Sequence, residues 1–327
     1  MKFLISGGSG FIGSNFIKYM LNKYKNYTFV NYDILTYAGN TQNLSDINGH
    51  PNYHFVMGDI CDRDLLVKTV KQYNIDMFIN FAAESHVDRS IEDPYVFCKT
   101  NILGTQTLLD VSKSLEIKKF IQISTDEVYG SITGNGLFTE EHPLQPNSPY
   151  SASKASADLL VRAYHKTYGL NVNITRCSNN YGPYQHSEKL IPSMIIKAIN
   201  SKNLPIYGDG ENIRDWLHVY DHCTAIDKVT HYGLSGEIYN IGSNNEKTNN
   251  QVVSYILNKI GASTDLITYV SDRKGHDRRY AIDSSKIQRE LSWSPTYNFH
   301  DGLDQTITWY LNNKQWWNQH LHDGVDQ

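Results

Sequence analysis

"ISGGSGFIGSN", residues 5–15, decides the fold. A short apolar run, "KFLIS" (2–6), leads into it, and an amphipathic stretch, 11–24, leaves it. Gly8, Gly10 and Gly13 fit G-x-G-x-x-G, while Gly7, Gly10 and Gly13 fit G-x-x-G-x-x-G. Glycines here permit a tight turn and let the backbone approach a pyrophosphate at a helix N-terminus. Such a turn can also join a strand to a helix with no chemical purpose, so its surroundings matter. Asp33 lies twenty residues beyond Gly13, at the end of a second apolar run, "TFVNYD" (28–33). A carboxylate there binds the hydroxyls of an adenosine ribose. No Lys or Arg occurs in "DILTYAGN" (33–40). A 2′-phosphate would meet an uncompensated negative charge, and the pattern selects NAD over NADP.

Outward from the loop, strand-like and helix-like signals alternate. Further strand-like runs are "HFVMGDI" (54–60), "MFINFAA" (77–83), "KFIQIS" (119–124) and "NVNITRC" (171–177). Helix-like stretches cover 62–73, 94–115 and 150–168. Buried apolar strands alternating with amphipathic helices predict repeated βαβ units, hence a Rossmann-like, doubly wound α/β fold with a parallel sheet. After about residue 180 the alternation loosens and Pro, Gly, Asn and Tyr become frequent, although "EIYNIG" (237–242) and 249–260 still read as strand and helix. The expectation is a cofactor-binding domain over 1–180, with the chain returning to it around 215–240, and a smaller mixed α/β substrate domain over 181–327.

The chain has 327 residues. That length suffices for two domains of roughly 150 residues each. Acids exceed bases, 34 to 30, with no basic block. This balance speaks against a nucleic-acid partner. The four cysteines, Cys61, Cys98, Cys177 and Cys223, form no C-x-x-C. Neither zinc nor a disulfide framework is therefore expected, and a reducing cytoplasm fits. The apolar run in "MKFLISGG" is too short for a signal peptide. No run of about 18 apolar residues would span a membrane. His86, Asp88 and Asp93 match no standard metal spacing, so no metal is expected. The last residues, "NQHLHDGVDQ" (318–327), read as a polar tail.

Two further patterns carry chemistry. "SPYSASKAS" places Tyr150 and Lys154 four apart. On a helix they share one face. A tyrosine acting as a base near neutrality needs its pKa lowered from about 10, and a neighbouring ammonium does this. "STDEVYG" (124–130) then sets Asp126 and Glu127 side by side just past a buried strand. Adjacent carboxylates can serve as acid and base when their environments split their pKa values. The alternative is an acidic pair favoured by a helix start.

These motifs, with "FAAESHVDRSI" (81–91), resemble the extended short-chain dehydrogenase/reductase superfamily. Within it the chain is similar to the branch that dehydrates nucleotide sugars. The likeness continues through "TRCSNNYGPYQHSEKLIP", "PIYGDGENIRDWLHV", "YNIG", "NEKTN", "DRKGHDRRYAID" and "WYLNNKQWW", over residues 1–317. It implies oxidation of dTDP-glucose at C4 by NAD, loss of water across C5 and C6, and hydride return to C6. UDP- or CDP-glucose is the alternative substrate. The carboxylate pair argues against a 4-epimerase, which needs no such pair.

The resemblance assigns roles as follows. Tyr150 takes the C4 hydroxyl proton, Thr125 hydrogen-bonds the same oxygen, and Lys154 tunes Tyr150 and binds the nicotinamide ribose. Glu127 is the base at C5, and Asp126 the acid at the C6 hydroxyl. On the cofactor side, Phe11 and Ile12 add loop backbone. Asp33, Ile34, Leu35 and Thr36 surround the adenosine ribose, and Asp59 and Ile60 flank the adenine. Ala82, Ala83, Glu84, Ser85 and His86 line the nicotinamide side, with Thr100 behind them, and Asn180 joins the cofactor set. The implied substrate contacts are Ser85, Thr125, Asn179, Lys189, Leu190, Arg214, Asn249, Asp272, Arg273 and His276. Pro205, Ile206 and Tyr207 come near the base, Arg214 serves as the diphosphate ligand, and 272–279 forms a lid. Superfamily members pair helices from 94–115 and 150–168 in a four-helix bundle, which implies a homodimer.

Overall fold

The computed structural model describes residues 1–132 and 134–318. The polar stretch read at the C-terminus lies, from residue 319 on, outside the described residues. The first half runs β1 (Lys2–Ser6), α1 (Phe11–Lys23), β2 (Thr28–Asp33), β3 (Tyr53–Met57), α2 (Arg63–Tyr73), β4 (Met77–Asn80), α3 (Val87–Glu92), α4 (Pro94–Phe97), α5 (Thr105–Ser114), β5 (Lys119–Thr125), α6 (Pro149–Tyr168) and β6 (Val172–Cys177). The second half runs β7 (Asn179–Tyr181), α7 (Leu190–Ile199), β8 (Leu204–Tyr207), β9 (Ile213–His218), α8 (Val219–Tyr232), β10 (Ile238–Ile241), β11 (Glu246–Thr248), α9 (Asn249–Ile260), β12 (Ile267–Val270), α10 (Ser285–Leu291), α11 (Phe299–Asn312) and α12 (Lys314–Asn318).

Seven strands form one sheet in the order β10-β6-β5-β4-β1-β2-β3. Every pairing in it is parallel. The strands are near-continuously apolar because helices cover both faces. On one face α1 and α8 pack through Phe16, Ile17, Met20, Cys223 and Ile226. On the other, α2, α5 and α6 bring Leu66, Val70, Leu108, Leu109 and Val161 against Leu4, Phe78 and Phe120. A second core gathers α7, α9 and α11 around Trp216 and Trp317. It accompanies a three-stranded sheet, β11-β9-β7, and a two-stranded one, β12-β8.

Helix ends follow local chemistry. Asp62 caps α2 by accepting from Leu65 N. Ser148 caps α6, Pro149 occupies its first turn, and left-handed Gly169 ends it. Proline suits a first turn because its missing N–H would have no partner there, and glycine takes the left-handed stop without steric cost. Thr248 and Gln251 form a reciprocal capping box on α9.

Two differences from the sequence reading bear on the site. The strands read over 54–60 and 77–83 stop at Met57 and Asn80, and the residues beyond them become cleft loops. The helix read over 94–115 is split: Cys98–Gly104 winds as a π-helical segment between α4 and α5. The wider winding turns Asn101 inward. There its Nδ2 donates to Glu84 O (3.0 Å) and Ser153 Oγ (2.8 Å), and its Oδ1 accepts from Glu84 N (2.9 Å).

Candidate active site

In the large sheet β1 lies between β2 and β4, so the strand order reverses there and the loops leaving β1 and β4 diverge. Ligands of such sheets bind in that crevice, beyond the C-terminal strand ends. A cleft of about 630 Å³ opens there, walled by the loops after β1, β2, β3, β4, β5 and β6.

The glycine loop forms one wall. Gly7 has φ +70°, and a Cβ on it would sit 2.5 Å from Ala82 N, in the loop after β4. A Cβ on Gly13 would sit 2.5 Å from Gly7 O. Gly10 caps α1 without a side-chain hydrogen bond. First-turn N–H groups are thereby left available to an anion. Asp33 is buried, and its carboxylate accepts from Ser9 N (2.9 Å) and Leu35 N (2.8 Å). Burial pushes its pKa up, against the pull of those two bonds. This wall fits a dinucleotide diphosphate and an unphosphorylated ribose. Gly7, Gly10, Phe11, Ile12, Gly13, Asp33, Ile34, Thr36, Asp59 and Ile60 all line it, as do Ala82, Ala83, Glu84, Ser85, Thr100 and Asn180. Leu35 and His86 do not. Leu35 takes φ +57° and donates its N–H to Asp33, and His86 caps α3 by accepting from Arg89 N.

The opposite wall holds the reactive groups. Thr125 ends β5 and caps a single 3₁₀ turn, Asp126–Tyr129, accepting from Glu127 N at 3.3 Å. Asp126 is 2% exposed, and its Oδ2 has no hydrogen-bond partner among the described residues. Glu127 accepts from Ser151 Oγ at 3.3 Å. Tyr150 and Lys154 are both buried on one face of α6 and line the same cleft.

The electrostatics separate the two carboxylates. Burial and then the Glu127 charge hold Asp126 well above the ordinary range. Burial also raises Glu127, but Arg214, Arg273 and Lys189 pull it back down. Tyr150 differs from expectation. Burial, followed by the Glu127 charge, holds the phenol well above its ordinary value. The Lys154 ammonium donates to Ile123 O at 2.7 Å and is itself lowered by burial. Within the protein alone, burial and carboxylates dominate at Tyr150.

The expected substrate residues fall in different places. Ser85, Thr125, Asn179 and Lys189 line the cleft, and Lys189 Nζ donates to Ser85 O at 2.8 Å. Arg214 lies behind the wall, 6% exposed, donating to Ile213 O (2.7 Å) and Asp277 O (2.9 Å) and stacked on Tyr280 at 4.3 Å. Its charge still reaches both carboxylates. Asp272, Arg273, His276 and Tyr207 form an outer group. His276 Nδ1 lies 2.6 Å from Asp272, the Tyr207 ring meets the His276 ring edge-on, and Arg273 Nε is 3.7 Å from Asp88. Pro205 and Ile206 belong to β8, Asn249 opens α9, and Leu190 packs into the second core.

Sequence reasoning passed over Glu188, on the cleft wall beside Lys189, and Tyr280, whose hydroxyl donates to Asp277 at 2.6 Å. Both lie inside stretches already singled out, "TRCSNNYGPYQHSEKLIP" and "DRKGHDRRYAID", and that position was the available signal. Lys99, on the cleft wall 3.7 Å from Asp59, was also missed, although its neighbour Thr100 was singled out.

The chain matches the family model described as GDP-mannose 4,6 dehydratase over residues 4–306. It is 51% identical to a low-salt glycan biosynthesis protein of Haloferax volcanii, across 95% of this chain and 99% of that one. A crystal structure of dTDP-glucose 4,6-dehydratase from Bacillus anthracis, in complex with NAD, superposes with a TM-score of 0.92 at 53% identity, covering 98% of this chain and 99% of that one. The Streptomyces venezuelae dTDP-glucose 4,6-dehydratase, also with NAD bound, gives a TM-score of 0.95 at 48% identity, covering 98% and 100%. The chain therefore belongs to the GDP-mannose 4,6 dehydratase family of extended short-chain dehydrogenase/reductases and, within it, to the group of the dTDP-glucose 4,6-dehydratases.

Proposed function

We propose that the chain is an NAD-dependent hydro-lyase converting dTDP-glucose to dTDP-4-keto-6-deoxyglucose. One observation carries the reading: two adjacent carboxylates, held at different protonation tendencies, face the same cleft as Tyr150 and Lys154. A reaction of hydride exchange alone has no use for that pair; an elimination needs both members.

NAD, when bound, accepts hydride from C4 and returns it to C6. The glycine loop, Asp33 and the 82–85 loop hold it, and Lys154 binds its nicotinamide ribose. Tyr150 removes the C4 hydroxyl proton, with Thr125 hydrogen-bonded to the same oxygen. The C4 ketone acidifies C5–H, and Glu127, whose pKa burial raises and three cations only partly offset, takes that proton. Asp126, the carboxyl kept neutral, protonates the departing C6 oxygen. Water leaves, and Glu127 later returns a proton to C5. Asn179, Lys189 and the Arg214 charge orient the nucleotide diphosphate, and 272–279 covers it.

The division of labour follows the chain, with a cofactor half over 1–180, its return at 215–240, and a substrate half over 181–327. A homodimer joined through the neighbouring π-helical segment and α6 accounts for exposed Leu103 (54%) and Leu159 (55%). Exposed apolar side chains on adjoining elements mark a contact surface. No described helix is long and apolar enough to cross a membrane. The four cysteines are free. Free thiols suit a reducing compartment, and the proposed location is the cytoplasm.

The test supplies the purified protein and NAD with dTDP-glucose, UDP-glucose or CDP-glucose and follows loss of one water by mass spectrometry. Fastest loss from dTDP-glucose supports the reading. Faster loss from another nucleotide reassigns the base, and no loss from any overturns the reaction.

A further inference from the structure

The turn that carries Asp126 and Glu127 is held through Val128, which is buried and whose carbonyl accepts from Gln145 N at 3.0 Å, but its carboxylate end has only long bonds. Glu127 N to Thr125 Oγ1, Gly130 N to Glu127 O and Ser151 Oγ to Glu127 are each 3.3 Å. Such separations lie beyond the usual range for hydrogen bonds of these types. The last residue of the turn is anchored far better. Tyr129 is 1% exposed; its hydroxyl accepts from Arg176 Nη1 at 2.8 Å and donates to Asn240 Oδ1 at 2.8 Å. Arg176, on β6, donates through Nε to Asp158 at 2.9 Å, and both side chains of that ion pair are nearly dry, 4% and 1% exposed. Asp158 lies on α6, one helical turn beyond Lys154. Register places Arg176 opposite Ser124, two residues before the turn begins. None of these four residues lines the cleft.

We infer that Tyr129, Arg176, Asp158 and Asn240 form a positioning network that sets the Asp126–Glu127 turn against α6, and with it the distance between the elimination groups and the oxidation groups. The inference rests on the proposed dehydration. Tyr150 and Lys154 ride on α6, which shares Asp158 with the network but is fixed nearer to them by the helix cap at Ser148 and by the Lys154 bond to Ile123 O. The carboxylate turn's short side-chain bonds are those of Tyr129. Loosening the network therefore displaces the acid and base and leaves the oxidation pair in place.

Tyr129→Phe removes one hydroxyl and keeps the ring that stacks on Phe138. The experiment mixes NAD-loaded enzyme with dTDP-glucose and follows NADH absorbance, whose rise reports C4 oxidation and whose fall reports elimination and hydride return. Melting temperature and deuterium uptake at C5 are measured alongside. The expected result is a rise within about threefold of the parent and a fall slowed by about tenfold or more, so that NADH accumulates. Arg176→Lys keeps a cation for Asp158, loses the bond to Tyr129, and is expected to do the same. A lowered melting temperature with the parent's ratio of rise to fall overturns the inference, because the network is then structural only. If Tyr129→Phe does not fold, Arg176→Lys decides by the same ratio, and failure of both to fold also overturns it. A parent enzyme that yields no dehydrated product sinks the proposed function and the inference together. A parent that turns over beside variants that partition normally sinks the inference alone.

Discussion

At the scale of single residues, the site is organised by what surrounds two carboxylates. In the proposed mechanism Glu127 loses its proton to act at C5 and Asp126 keeps its own, so turnover is expected to fall as pH drops through the Glu127 pKa. That pKa is raised above 4.5, and the acid limb of the rate profile lies above the ordinary glutamate range. Turnover is expected to fall again as pH rises through the Asp126 pKa, held well above 3.8. The two limbs belong to the coupled pair and are read from kcat against pH. Glu127→Gln leaves C4 oxidation intact and blocks C5 proton loss, and NADH absorbance builds up on adding substrate; parental turnover would remove Glu127 from the base role. Asp126→Asn slows product formation by about a hundredfold or more, measured at steady state. The side-by-side acids, the Tyr150–Lys154 spacing and Asp33 were legible in the sequence because each is a local pattern. The split between the acids was not. It is set by Arg214, Arg273 and Lys189, which reach Glu127 only after the chain has doubled back.

At the scale of elements, α1 and α8 are joined by a polar cluster as well as by their apolar faces. Asp227 of α8 is 2% exposed and receives Tyr19 (2.8 Å) and Lys23 (2.6 Å) from α1, and Tyr24 (2.9 Å) just past its end. Its own helix adds His231 at 2.9 Å. Burial raises the Asp227 pKa, but the bonds from His231, Lys23, Tyr19 and Tyr24 outweigh it and bring it to about 2. A depressed carboxylate contributes stability that is complete above its unfolded value and is lost as pH falls through its folded one. For Asp227 that window runs from 3.8 down to about 2. Asp227→Asn strips the partner from these donors and costs about 3 kcal/mol, read in denaturant melts near neutral pH. The loss relative to the parent shrinks as pH falls below 3.8. In the π-helical segment, Asn101→Ala removes the bonds that fix Glu84 and weakens NAD binding, measured by calorimetry, with a stability cost of about 1–3 kcal/mol. Sequence periodicity found most elements of the first half and missed α8 and α11. The α8 stretch, "VYDHCTAIDKVTHY" (219–232), buries Asp221, His222 and Asp227 along with its apolar residues.

At the scale of the whole molecule, the proposed homodimer predicts that the parent runs as a dimer in size-exclusion chromatography with light scattering and that Leu103→Glu combined with Leu159→Glu, which places charges on the exposed apolar face, runs as a monomer. The parallel sheet itself was foreseeable from alternating buried runs; the partner of its β6 edge was harder to see, because "EIYNIG" is short and follows the irregular region. That seventh strand has a consequence for synthesis. A chain emerging from the ribosome completes β6 at Cys177, and β10 begins only at Ile238. In the interval the sheet ends on an unpaired edge, and the Tyr129 hydroxyl waits for Asn240. Such edges recruit other strands. A fragment ending near residue 200 is therefore expected to aggregate when expressed alone, whereas one extended past residue 241 carries its own edge cover. The order of translation leaves the polar network behind the carboxylates to close late, once the last strand has docked.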